Sequence, residues 1–191
     1  MKKTLSIVLA LTMVFAMTAC GGNKAEETTG VTAQEMPASA QEVMETIWAD
    51  YAEDEKFAVI GGSMAAPVDG APGSYDLADE NITYSLLIPA EQLGNVTEAA
   101  SMIHMMNANT FTAAVYKLAE GVTAADFGNA MKEAILNNQW MCGFPDKLLV
   151  SGFGDTYVLV AFGVNDAMDP FTAHFEAVYP GFETIASESI A

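Results

Sequence analysis

Apolar residues recur at helical spacing along several stretches of the chain. Val43, Met44, Ile47, Trp48 and Tyr51 stand three and four apart against Glu42, Glu45, Asp50 and Glu53, which gives one core-facing stripe. Ser39-Ala40-Gln41-Glu42 has the form of a capping box, so a helix is predicted from there to about Asp54. Thr123-Ala124-Ala125-Asp126 opens a second helix, with Phe127, Ala130, Met131, Ala134, Ile135 and Leu136 inward and Asn137-Asn138 at its end. Phe171, Phe175 and Val178 predict a last helix over about 170–179, stopped by Pro180-Gly181 and entered through a turn at 165–169. Asn95-Val96-Thr97-Glu98 repeats the capping form, and Val96, Ala99, Ala100 and Ile103 predict a short helix there.

Other runs carry the marks of strands. Residues 57–60 are apolar and stopped by Gly61-Gly62; residues 82–88 are β-branched and aromatic and closed by Pro89; residues 110–118 end at Glu120-Gly121. Residues 147–151 and 156–162 flank Gly152-Phe153-Gly154-Asp155, a glycine-rich hairpin signal. Residues 63–81 form a long connection with Pro67, Gly70, Pro72 and Gly73 among Asp69, Asp76, Asp79 and Glu80, a length that marks a functional or a mobile segment. Helices interleaved with hairpin-forming strands predict an α+β fold, with an antiparallel sheet of about five strands packed against three or four helices. One such domain is expected over 39–191.

The amino-terminal end reads as an address. Met1-Lys2-Lys3 precedes an apolar run over 5–16 that is short for a bilayer span, and the exit is Met17-Thr18-Ala19-Cys20-Gly21-Gly22. This exit resembles the lipobox of bacterial lipoproteins, with Met17 in place of the usual leucine. The resemblance implies a signal peptide over 1–19, a diacylglycerol on the sulfur of Cys20, and attachment to the extracytoplasmic side of the cell membrane. Residues 20–38 are small and polar and read as a flexible tether. Cys142 is the other cysteine of the chain, so a lipid on Cys20 leaves no disulfide partner, and the domain must rely on its apolar core.

Charge narrows the functions. The 191 residues carry 25 acidic side chains and 7 basic ones, all lysine, for a formal charge of −18. Loss of Lys2 and Lys3 with the leader makes the charge more negative by two. Nucleic-acid binding needs a basic footprint and is excluded as a default, and so is docking on an anionic membrane through surface charge. A hydrophobic content of 51% excludes a disordered chain.

Candidate chemistry is sparse. Asn138-Gln139-Trp140-Met141-Cys142-Gly143-Phe144-Pro145 holds a single thiol, so disulfide exchange of the paired-cysteine kind is excluded. A nucleophilic Cys142 would need His104 or His174 as base and a positive neighbour such as Lys147. The expectation is instead that Trp140, Met141 and Phe144 cover the core and Cys142 packs among them as a small hydrophobe. Met102-Ile103-His104-Met105-Met106 offers soft ligands that could hold Cu(I), with Met102, His104 and Met106 on one face if the segment is extended. With 12 methionines in the chain, ordinary core use is the expectation. Asp69, Asp76, Asp79 and Glu80 could gather Ca²⁺, but they lack an Asp-x-Asp-x-Asp-Gly run and are expected to be solvated. Neither a catalytic residue nor a cofactor or metal ligand is assigned.

Three blocks together, residues 105–118 (MMNANTFTAAVYKL), 138–145 (NQWMCGFP) and 154–163 (GDTYVLVAFG), are similar to those of a domain-of-unknown-function family. Its members are small lipoproteins of Gram-positive bacteria, some labelled bacteriocin transport accessory protein. The resemblance covers roughly residues 41–179. It implies an extracytoplasmic α+β domain on a lipid anchor and brings no catalytic or binding residues. The functional expectation is therefore a non-catalytic binding or accessory module, with cationic peptides or envelope proteins as partners. The alternatives are an envelope hydrolase using Cys142 or acidic residues, and a structural subunit of an envelope complex.

Overall fold

The most apolar segments of the chain lie side by side in the middle of one open antiparallel sheet. The computed structural model describes residues 36–190. Its strands are β1 (Val59–Gly61), β2 (Val68–Asp69), β3 (Gly73–Tyr75), β4 (Val96–His104), β5 (Phe111–Leu118), β6 (Lys147–Phe153), β7 (Tyr157–Gly163) and β8 (Glu183–Ser189). Its α-helices, among the described residues, are α1 (Ala40–Asp50), α2 (Ile82–Ser85), α3 (Ala124–Leu136) and α4 (Asn165–Val178). The described residues belong to one compact unit. The leader expected over 1–19, the expected lipid site Cys20 and the expected tether as far as residue 35 lie outside them.

Strand order is β2-β1-β4-β5-β7-β6-β8, with β3 also on β4. β3 takes residues 99–101 of β4 and β1 takes residues 102–104, so the two lie end to end along one edge of that strand. Helices α1 and α4 cover one face, where Val43, Met44, Ile47 and Phe171 meet Ala100, Ala113, Leu159 and Ala161. Helix α3 covers the other, where Phe127, Met131 and Ile135 meet Tyr116, Val150, Val158 and Phe162. Along β5 the two sets alternate, Phe111, Ala113 and Val115 facing α1, and Ala114, Tyr116 and Leu118 facing α3. The helix starts follow local chemistry: Ser39 Oγ accepts from the Glu42 amide at 3.1 Å, and Thr123 Oγ1 accepts from the Asp126 amide at 3.1 Å.

The α+β class and the antiparallel sheet are as expected, but the sheet has eight strands rather than about five. Residues 96–104, expected as a helix, are the strand β4. This strand is buried on both faces, with Ala99 and Ile103 toward α3 and Ala100 and Met102 toward α1. A doubly covered strand is apolar nearly throughout, so its residues also match a helical period. Residues 82–88, expected as a strand, are instead the single helical turn α2 followed by irregular backbone. The Leu86 amide donates to the Ile82 carbonyl at 3.0 Å, and Tyr84 is 85% exposed where a strand would place it beside buried Ile82 and Leu86. α1 stops at Asp50, short of Asp54, as Tyr51 turns extended. α4 begins at Asn165 rather than near Pro170, and Asp146 Oδ2, from the connection before β6, accepts the Asn165 amide at 2.9 Å. β2, β3 and β8 were not expected: the first two are two and three residues long, and β8 buries only Ala186.

The long connection over 63–81 is folded. Trp48 Nε1 donates to the Gly70 carbonyl at 3.2 Å, and β1 and β3 approach so closely that a Cβ on Gly61 would lie 2.2 Å from the Gly73 amide nitrogen. A Cβ on Gly94 would meet nothing within 4 Å. Gly61→Ala is therefore expected to destabilise the domain by more than about 2 kcal/mol, while Gly94→Ala stays within about 0.5 kcal/mol of the parent. Urea unfolding of the two variants measures both.

Candidate functional site

Antiparallel pairing gathers several connections at one pole of the sheet. Ile103 faces Thr112, Phe111 faces Gly163, and Lys147 faces Gly163. The 105–110 and 137–146 connections and the start of α4 therefore stand at the same end. The chain enters the domain at the opposite end, where Lys117 faces Tyr157. There the Tyr157 hydroxyl donates to the Pro37 carbonyl at 2.9 Å, and Lys117 Nζ donates to the Ala38 carbonyl at 3.4 Å. Between the poles, β5 advances roughly 20 Å at ~3.4 Å per residue.

Cys142 lies on the pole away from the chain entry, and it is exposed. This corrects the expectation that it packs in the core. Met141 is 86% and Phe144 66% exposed, so neither covers the core either. Trp140 alone behaves as expected, its ring 5.5 Å from that of Phe162 on the α3 face. The reason is local: buried Pro145 and half-buried Trp140 fix the two ends of the segment, and the residues between them bow outward. Neither histidine serves the thiol, since both rings are held on the α1 face. His104 stacks on Phe57 at 5.2 Å, and His174 lies against Tyr51 at 3.9 Å. A thiol–imidazole pair is not assembled.

The segment over 102–106 is extended, and it divides. Met102 is fully buried beside Ala100 and Phe111, whereas Met105 and Met106 are more than half exposed. His104 Nδ1 accepts from the Met106 amide at 2.9 Å. The neutral ring then carries its hydrogen on Nε2, so neither nitrogen presents a free lone pair to a soft metal. Burial also lowers the His104 pKa. The acidic residues of the 63–81 connection fold the loop instead of collecting around a point. Asp76 Oδ1 accepts from the Ala78 amide, and Asp79 accepts from the Asn81 and Met64 amides, each at 2.9 Å. The hydrogen bonds from Asn81 hold the Asp79 carboxyl below the usual aspartate range. Among the described residues no three His, Cys, Asp or Glu side chains are placed to hold a metal ion.

Two features escaped the sequence. The first is a carboxylate pair around His174: Nδ1 donates to Asp50 Oδ2 at 2.8 Å, and Nε2 lies 3.7 Å from Glu55. Beneath it the Tyr51 hydroxyl is buried without a hydrogen-bond partner, and burial raises its pKa, with Glu55 adding to the effect. Asp50, Tyr51 and Glu55 are close in the chain, but His174 stands 124 positions from Asp50, and only the packing of α4 against α1 brings it to them. The second is the fate of the lysines. Lys56 meets Glu53 at 2.6 Å, Lys117 meets Glu98 at 2.8 Å, Lys132 meets Glu133 at 3.5 Å, and Lys147 meets Asp169. Every lysine among the described residues is thus paired with a carboxylate.

A cleft of about 420 Å³ opens near the start of α1, between Ser39, Gln41, Asp76 and Glu98. Two amides at the start of the helix are already engaged there, since Glu98 Oε2 accepts from the Ala40 amide at 3.3 Å and Ser39 caps Glu42. Compared with known proteins, the chain matches no family model, no curated protein and no solved structure.

The exposed thiol has a direct consequence. Maleimide labelling of the folded chain is expected to modify Cys142 at the rate of a free thiol, without denaturant, and Cys142→Ser is expected to change unfolding stability by less than about 0.5 kcal/mol. Labelling that waits for unfolding would show a buried thiol.

Proposed function

We propose that this chain is a lipid-anchored, extracytoplasmic binding or accessory module whose partner is cationic, and that it runs no reaction of its own. The pairing of every described lysine with a carboxylate carries this reading. It removes the sites at which an anionic ligand could be gripped and leaves a surplus of acids on the surface. Such a surface steers basic partners inward and repels acidic ones. The resemblance of the three blocks to small Gram-positive lipoproteins adds the address and agrees with a role in handling peptides or envelope proteins. A hydrolase built on Cys142 draws no support from a thiol that has no imidazole beside it. The aspartates of the 63–81 connection, engaged with backbone amides, likewise supply no carboxylate pair for acid–base work, and the Asp50–Glu55 pair is occupied by His174.

Titration of the chain with lysine-rich and glutamate-rich peptides is expected to give binding of the lysine-rich set alone, weakening about tenfold or more between ~50 and ~500 mM salt. Equal or salt-independent binding of both sets would defeat the electrostatic reading. The anchor has its own measurement: mass spectrometry of the mature protein is expected to find Cys20 first in the chain, carrying diacylglycerol. An unmodified cysteine there would remove the membrane from this account.

A further inference from the structure

We propose that the cationic partner docks on the pole opposite the chain entry, and that it does so as an amphipathic helix with one apolar and one basic face. This rests on the binding reading above and adds to it a place and a shape. Four of the eight large apolar side chains exposed among the described residues sit on two connections at this pole: Met105 at 54%, Met106 at 57%, Met141 at 86% and Phe144 at 66%. These connections leave β4 and enter β6, three strand spacings apart in the sheet. At ~4.8 Å per spacing that is about 14 Å, the length of roughly ten helical residues at 1.5 Å each. Methionine adapts its shape to an incoming apolar face, which suits a partner recognised by amphipathicity more than by sequence.

The side chains are presented from held backbone. The Met105 amide donates to the Ala58 carbonyl at 3.0 Å, the Met106 amide donates to His104, and the Trp140 ring packs tilted against Phe162. The surroundings are acidic. Asp146, Asp166 and Asp169 are exposed at this pole, and the lysine beside them, Lys147, is already taken by Asp169. Apolar side chains among carboxylates complement a helix with leucine-like residues on one face and lysine or arginine on the other. The same charge disfavours the other occupants. An anionic bilayer repels the carboxylates, since membrane-seated apolar residues are flanked by basic ones. A second copy would bring two acidic rims together.

The test uses the full chain in phosphatidylcholine vesicles and two labelled peptides of identical leucine–lysine composition, one ordered as an amphipathic helix and one scrambled. The amphipathic peptide is expected to bind more tightly than the scrambled one. Met141→Ser with Phe144→Ser is expected to weaken the amphipathic peptide about tenfold or more while leaving the scrambled one unchanged. Tyr84→Ser, which removes an equally exposed apolar group on α2, is expected to change neither. Equal affinity for the two peptides, or no loss in the double variant, overturns the docking site and leaves the cationic reading standing. Failure of both peptides to bind overturns the cationic reading and the site with it. Brominated phosphatidylcholine quenching Trp140 before any peptide is added, read against the Trp140→Phe chain, overturns the proposal in favour of the membrane.

Discussion

Burial of the sheet on both faces constrains everything else in this domain. β5 and β7 sit at its centre, and all of their residues except Lys117 are buried. Each must therefore satisfy two helical layers at once. On the face under α1, Ala100 and Ala113 sit among Phe111, Tyr157 and Leu159 and meet Val43, Met44 and Ile47. The face under α3 sets Tyr116, Val150, Val158 and Phe162 against that helix and takes a glycine from it in return. A Cβ on Gly128 would stand 2.9 Å from Ile185 Cδ1 and 3.0 Å from Val150 Cγ1. With the interior committed to apolar contact, charged groups are left with the outer sides of the helices, the edges and the poles.

The same constraint explains what could be read from the residues and what could not. Helices α1 and α3 are one-sided, so their stripes and caps stood out, and so did the hairpin of β6 and β7 with its glycine-rich turn. β4 is two-sided, and a segment that is apolar on both faces has no period of its own to reveal. α4 took its cap from Asp146, a residue invisible to any local pattern. β8 is an edge strand that presents polar side chains outward, with a register shift opposite Val150 and Ser151. Charged side chains and bulges of this kind keep edges from pairing further, and they also hide a strand from hydropathy. At the candidate site, the residues alone predicted burial for the 102–106 methionines and for Met141, Cys142 and Phe144, whereas only Met102 is buried and the others face outward. Whether an apolar side chain in a loop turns in or out depends on its two neighbours' anchorage, which composition does not encode.

The lysine pairs carry a consequence for recognition more than for stability. Exposed ion pairs contribute only about 0–1 kcal/mol each, so four of them do little to hold the fold. Lys117 and Glu98 face each other across β5 and β4, and Lys147 reaches Asp169 on α4, so these pairs are products of the register and of helix placement. Their effect is to cancel positive charge at the places where it arises. In the 63–81 connection Asp76 and Asp79 are engaged by backbone amides, and among the described residues no three carboxylate, imidazole or thiol groups converge on a point that could hold a cation. A diffuse negative field suits attraction of an extended basic partner better than coordination of a small ion.

Exposed apolar residues at the pole could arise from a slack loop, but the local anchoring argues against that. Trp140 and Pro145 are drawn inward on either side of Met141 and Phe144, and the Asp146 amide donates to the Gly163 carbonyl at 2.9 Å, tying the segment to β7. The Ile190 amide donates to the Asp146 carbonyl at 2.9 Å and closes the segment from the other side. A chain so held had inward positions to fill and filled them with Trp140 and Pro145. Met141 and Phe144 lie on a fixed frame, and their exposure is a property of the folded domain, maintained against the tendency of apolar surface to leave water.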